Sequence, residues 1–214
     1  FLVDNCFASP YLQQPANFGA DLVIHSATKY IDGQGRVLGG AVLGSKKLIE
    51  PCYEFIRRTG AALSPFNAWV LSKSLETLAV RMDRHAENAM AVAKFLTTHN
   101  MIEQVTYPFL ESHPQYEIAR KQMKSGGGLV GCVLKGDVKK ASAFLNALKL
   151  HSLTANLGDT RSIATHPAST THSKLTVAEQ AAVDILPSYI RFSVGLENVK
   201  DIIADIEQAL NTIK

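Results

Sequence analysis

Cysteine is scarce in this sequence and set out without a pattern: Cys6, Cys52 and Cys132 are odd in number and far apart. That spacing indicates neither a disulfide framework nor a zinc site, and a reducing cytosol fits it best. An excess of one charge is missing too. Basic residues number 22 against 19 acidic ones, a formal charge of +3, and no Lys/Arg run exceeds a pair. Nucleic acid is therefore not an expected partner. The apolar runs are short and interrupted, as at 39–44, well below the roughly 20 residues of a bilayer-spanning helix, so no membrane partner is expected either. The start at Phe1 shows no Met, no cap and no signal-peptide pattern; it reads as the inside of a β-strand, with an N-terminal half expected upstream. What is present is the composition of an ordinary buried core, 46% hydrophobic, in one large domain or two small ones.

Residues 1–3 and 22–24 are short apolar runs separated by enough chain for a crossover, which predicts a parallel pair of strands. Each ends in polar residues, and in open α/β sheets ligands bind beyond the carboxyl ends of strands. Residues 39–44, flanked by glycines, read as a further buried strand. Over 64–98 the apolar spacing turns helical, opened by a Ser64-Pro65 cap, and predicts one long or kinked helix linking two domains. Beyond it the pattern alternates: strands at 102–107, 128–134 and 189–194, helices at 114–123, 138–148 and 199–213. That predicts a smaller α+β domain. The Ser/Thr/His-rich segment 160–174 reads as a loop.

Three positions invite chemistry. Lys29 follows an apolar strand in a Ser26-Ala27-Thr28-Lys29 setting, where partial desolvation favours a free, nucleophilic amine. Hydroxyls three and one residues before it suit a phosphate placed beside the same carbonyl ligand; a plain surface lysine is the alternative. Asp4 ends the first strand, so a parallel pair would bring its carboxylate to the same sheet edge, although Asp4-Asn5 would also serve as a simple strand-ending turn. Arg191 alternates with Ile190, Phe192 and Val194, which sets it with Ser193 on the opposite face. Its planar fork matches a carboxylate ligand, or a structural salt bridge.

Five motifs in order carry more than any one of these residues: Val3-Asp4-Asn5; 25–30 (HSATKY); 63–69 (LSPFNAW); 166–172 (HPASTTH); and 191–197 (RFSVGLE). Together they resemble the Cys/Met metabolism family of pyridoxal 5'-phosphate (PLP) enzymes, over nearly the whole chain. The resemblance implies an α/β fold of the aspartate aminotransferase-like type, with residues 1–78 as the C-terminal part of the PLP-binding large domain and 79–214 as a small α+β domain. It implies Lys29 as the Schiff-base lysine and proton shuttle, Asp4 on the pyridine nitrogen, Ser26 and Thr28 on the phosphate, and Arg191 on the substrate α-carboxylate. Cys6, the segment 31–36 (IDGQGR) and Asn156 within 154–159 (TANLGD) resemble the sulfhydrylase branch. Asn156 is then expected to help hold the carboxylate or the lysine, with loop capping as the alternative.

The activity so implied is γ-replacement on O-succinylhomoserine or O-acetylhomoserine by sulfide, in a cytoplasmic homotetramer built as a dimer of dimers. Cystathionine γ-synthase chemistry, a lyase acting on cystathionine or methionine, and a non-enzymatic fragment remain the alternatives. The aromatic stacked on the ring, a glycine-containing phosphate turn and a Tyr/Arg pair from a neighbouring subunit find no match in the chain. Elsewhere, His25, His166 and His172 read as structural, Phe66 and Trp69 as core or interface packing, and 126–128 (GGG) not as a phosphate cradle, because it precedes a strand rather than sitting between a strand and a helix.

Overall fold

In the computed structural model, which describes all residues from Phe1 to Lys214, the chain forms two sheets. The first has three strands, β1 (Leu2–Asp4), β2 (Leu22–Ser26) and β3 (Gly40–Gly44), in the order β1-β2-β3. β1 and β2 run parallel, with Asp4 opposite Ile24. Their crossover is compact, made of the one-turn helix α1 (Ser9–Leu12) and a 3₁₀ turn at Pro15–Phe18. The parallel pairing therefore brings the carboxyl end of β1, at Asp4, beside the end of β2, which leads directly to Lys29.

β3 pairs antiparallel with β2 as an edge strand, but the burial expected for 39–44 does not occur: all five of its residues are exposed. No layer of this chain covers it. The helix that follows, α2 (Lys46–Thr59), buries none of its residues either.

The long or kinked helix expected over 64–98 is broken at 76–77 into two helices, α3 (Pro65–Leu75) and α4 (Leu78–Thr98). Ser64 caps α3 as expected, its Oγ accepting from the Asn67 amide, and Pro65 occupies the first turn. The break at 76–77 has no proline or glycine behind it. Side chains divert the backbone instead: the carbonyl of Ser74 accepts from Thr77 Oγ1 at 3.3 Å and from Arg81 Nη2 at 3.0 Å. Local side-chain hydrogen bonds of this kind compete with the helical ladder and turn the chain.

The second sheet has five strands in the order β4-β5-β8-β7-β6. Their ranges are β4 (Ile102–Thr106), β5 (Leu129–Leu134), β6 (Ser152–Leu153), β7 (Ile163–Thr165) and β8 (Tyr189–Ser193), all antiparallel except β6 with β7. The segment 160–174 is thus not wholly a loop, since it contributes β7 and a 3₁₀ turn at Pro167–Ser169. The helices of this half are α5 (Tyr116–Gln122), α6 (Val138–Ala147), α7 (Val177–Ala182) and α8 (Val199–Asn211).

One face of this sheet closes on α4, α6 and α8 around 21 buried residues, among them Val130, Ile190, Phe192, Phe144, Leu96 and Ile206. Burying each such side chain contributes about 1.5–3 kcal/mol relative to exposure, so this cluster is the chain's main store of hydrophobic stabilisation. A smaller cluster of Ala8, Leu12, Tyr30, Leu78, Met82 and Leu157 joins the two sheets.

Candidate active site

A cavity of about 540 Å³ opens at the seam between the sheets, and Asp4, Lys29 and Arg191 all line it. Its size is that of a small-ligand site. Asp4 reaches it from the end of β1 and Lys29 from the π-helical turn Ala27–Ile31 that follows β2, while Arg191 comes from the middle of β8. Ile190 and Phe192 point into the core, so the alternation inferred along β8 holds and turns Arg191 to the cavity side.

The charges are arranged for a ligand rather than for one another. Asp4 is exposed in this chain, at the last residue of the three-residue β1. Hydrogen bonds from the thiol and amide of Cys6, with the nearby Lys29 charge, hold its carboxyl below the usual range, so it is ionised. The amide contact is 3.0 Å. The Lys29 amine has no hydrogen-bonding or ion-pairing partner, and its Nζ stands 5.1 Å from the centroid of the Phe7 ring.

Arg191 has no carboxylate partner, which removes the structural salt bridge as its explanation. Its Nη2 donates to the backbone carbonyls of Ala155 at 3.0 Å and Asn156 at 3.3 Å, and its buried Nε donates to nothing. Burial lowers its pKa, the mark of a cation that lacks compensation. An unpaired guanidinium facing a cavity is an anion-binding group. A free amine, an ionised carboxylate and an uncommitted guanidinium around one cavity fit an aldehyde cofactor with a basic ring nitrogen and an amino-acid ligand.

Ser26 and Thr28 do not line that cavity. Thr28 Oγ1 accepts from the Gly39 amide at 3.1 Å and donates to the Gly39 carbonyl at 3.3 Å, tying the lysine turn to the start of β3. The Ser26 amide donates to Cys6 Sγ at 2.7 Å. Burial first, and then Asp4, push the Cys6 thiol up, so this cysteine is a protonated brace between the two strand ends and not a nucleophile. Asn156 contributes its backbone carbonyl to Arg191, a contact that any residue at this position could make.

His166 is structural, its ring bonded to Ser169 Oγ and to the Pro187 carbonyl. Phe66 and Trp69 are not core residues: they are 66% and 59% exposed and touch each other. Sequence reasoning misses Phe7 and the structural use of 126–128. Those three glycines line the cavity, where a Cβ on Gly126 or Gly128 would come within 2.5 Å of the Tyr107 ring or 2.7 Å of Tyr30 Oη. The run of glycines before a strand is the signal in the sequence for such close approach.

Known proteins carry the same framework. L-methionine gamma-lyase of Fusobacterium nucleatum subsp. polymorphum is 48% identical over 215 residues, covering 99% of this chain and 54% of that protein. O-succinylhomoserine sulfhydrylase of Mycobacterium tuberculosis is 47% identical, over 98% of this chain and 53% of its own length. Among solved structures, cystathionine gamma synthase from Xanthomonas oryzae pv. oryzae, in complex with aminoacrylate and cysteine, superposes with a TM-score of 0.95 at 39% identity, covering 98% of this chain and 55% of that one. The chain thus spans about half the length of the relatives it matches. The family described as Cys/Met metabolism PLP-dependent enzyme matches residues 1–211, and this chain belongs to it.

Proposed function

We propose that the protein carrying this chain catalyses γ-replacement on O-succinylhomoserine or O-acetylhomoserine with sulfide, giving homocysteine. The observation that carries the reading is the shared cavity, in which a free amine, an ionised carboxylate and an unpaired guanidinium meet. When bound, PLP supplies a ring that withdraws electrons from the substrate Cα.

The chain's own residues do the rest. Lys29 Nζ would hold the cofactor and, as a free amine, would take the proton from the substrate Cα and return protons later in the turnover. Asp4, kept ionised by Cys6, holds the proton on the ring nitrogen. Arg191 binds the α-carboxylate and so orients the Cα–H bond toward Lys29. Asn156 steadies that arginine through its carbonyl, and Ser26 at the end of β2 and Thr28 in the turn after it would take the cofactor phosphate, Thr28 Oγ1 exchanging its bonds to Gly39 for it. The ester leaves from Cγ as succinate or acetate, and sulfide takes its place. In this reading residues 1–78 would belong to the PLP-binding large domain and 79–214 would form the small domain, of a protein that would assemble as a cytoplasmic homotetramer.

A lyase reading has support of its own, because a methionine gamma-lyase is as similar to the chain as the sulfhydrylase is. The same amine and carboxylate would serve elimination, in which methanethiol leaves Cγ of methionine, nothing replaces it there, and water hydrolyses the released imine to α-keto acid and ammonia. The test is to supply the full-length protein with O-succinyl-L-homoserine and sulfide, and separately with L-methionine alone. Sulfide-dependent homocysteine as the dominant product is expected. Faster release of α-keto acid and ammonia from methionine would replace the sulfhydrylase reading with the lyase one.

A further inference from the structure

Arg191 is not the only donor on its face of β8. Tyr189 lies two residues before it, so both point away from the core that takes Ile190 and Phe192. In the pairing with β5, Arg191 stands opposite Gly131 and Tyr189 opposite Val133. A Cβ on Gly131 would fall 2.1 Å from the Tyr189 hydroxyl oxygen. The phenol therefore leans along β5 and puts its oxygen in the space that any side chain at 131 would fill, directly beside Arg191.

That hydroxyl has no protein partner, and burial holds the phenol above its ordinary pKa, so it stays a proton donor across the working range of pH. Both side chains line the Lys29 cavity and also a neighbouring groove of about 720 Å³ on the sheet surface. They form the wall between the two spaces. Two adjacent donors with no acceptor among the protein's anions are complementary to a carboxylate, which can accept from both at once.

We propose that Tyr189 is a second donor to the carboxylate that Arg191 recognises, so that a guanidinium and a phenol together select amino acids with a free α-carboxylate. The proposal rests on the reading of Arg191 as the carboxylate anchor. Gly131 belongs to the device, because only a glycine leaves the phenol in position.

The test uses the full-length PLP-loaded protein and two probes, glycine and methylamine, which share the amine and differ in the carboxylate. Dissociation constants are measured by calorimetry. Tyr189→Phe is expected to weaken glycine by about tenfold or more, the value of a hydrogen bond to a charged group, and to leave methylamine unchanged. Gly131→Ala, which displaces the phenol but keeps its hydroxyl, should give the same selective loss and covers the case in which the first variant folds poorly. Unchanged glycine binding in Tyr189→Phe, or equal loss of both probes, overturns the proposal while leaving Arg191 as the anchor. If Arg191→Lys also binds glycine normally, the anchor reading falls with it.

Discussion

The two sheets of this chain differ in how much they bury. Around the five-stranded sheet, 21 buried residues form one continuous core, whereas the cluster belonging to the three-stranded sheet and α3 holds only five, Ala27, Ile31, Val37, Val70 and Leu71. α8 buries five residues over its length and α2 none. The reactive groups divide along the same line. Asp4 and Lys29 stand on the thinly covered sheet, and Arg191 on the deeply packed one. A rigid core thus fixes the anion anchor, while the amine sits on a turn whose support comes from a few hydrogen bonds. The site exists only where the two are joined, through the cluster that links Tyr30 to Leu78 and Met82.

The sharpest break of that comparison separates chemistry from stability. Lys29→Ala in the full-length protein should reduce turnover by about 10⁴-fold while leaving the unfolding midpoint of the PLP-free protein nearly unchanged, since the lysine amine makes no protein contact beyond the Phe7 ring. Turnover within tenfold of the parent would remove Lys29 from its role. Phe192→Ala is the converse case. It deletes a fully buried ring that packs edge-on against Phe144, with centroids 6.1 Å apart, and should cost about 3–5 kcal/mol in denaturant unfolding. A cost below 1 kcal/mol would mean that the deep core is not what holds β8 in place.

The same contrast explains which elements are legible in the amino-acid sequence. β1 and β2 are, because each is an apolar run that stops at polar residues, and Arg191 is, because a five-residue strand is long enough for alternation to register. β6 and β7 are not, being two and three residues long with β7 wholly buried, so no period exists to detect. The break between α3 and α4 carries no proline or glycine; it follows from hydrogen bonds to the Ser74 carbonyl that need Arg81, well into the next helix. Trp69 is outside the core and β3 departs from the burial expected of it for one reason: apolar residues announce burial, but what covers them is a property of the packing partner and not of their own segment. Tyr189 and Gly131 come from different strands, and their fit emerges only once β5 and β8 are in register.

Acid should separate the two regions next. His85 is fully buried on α4, its Nδ1–H donating to the Val194 carbonyl at 2.7 Å, and burial pushes its pKa from 6.5 down to about 4. The folded state therefore prefers the neutral ring, whereas the unfolded chain protonates it below 6.5. Stability from this group is complete above pH 6.5, falls by about 3 kcal/mol as pH drops to 4, and levels off below. His85→Asn should flatten that arm of the stability curve. An unaltered slope between pH 6.5 and 4 in the variant would assign the acid sensitivity elsewhere.

The smallest effect tests the thin side directly. Trp69 is 59% exposed on α3 and its only aromatic contact is the equally exposed Phe66, with ring centroids 6.1 Å apart. Trp69→Ser should therefore change the stability of the 214-residue chain by no more than about 0.5 kcal/mol, the range of surface substitutions. The measurement is a guanidinium unfolding curve followed by far-ultraviolet circular dichroism, which avoids relying on the chain's single tryptophan as the probe. A cost of 2 kcal/mol or more, of the order of ~2–5 kcal/mol for a deleted core side chain, would mean that α3 is covered in solution. The contrast between a packed half and an open half would then not survive.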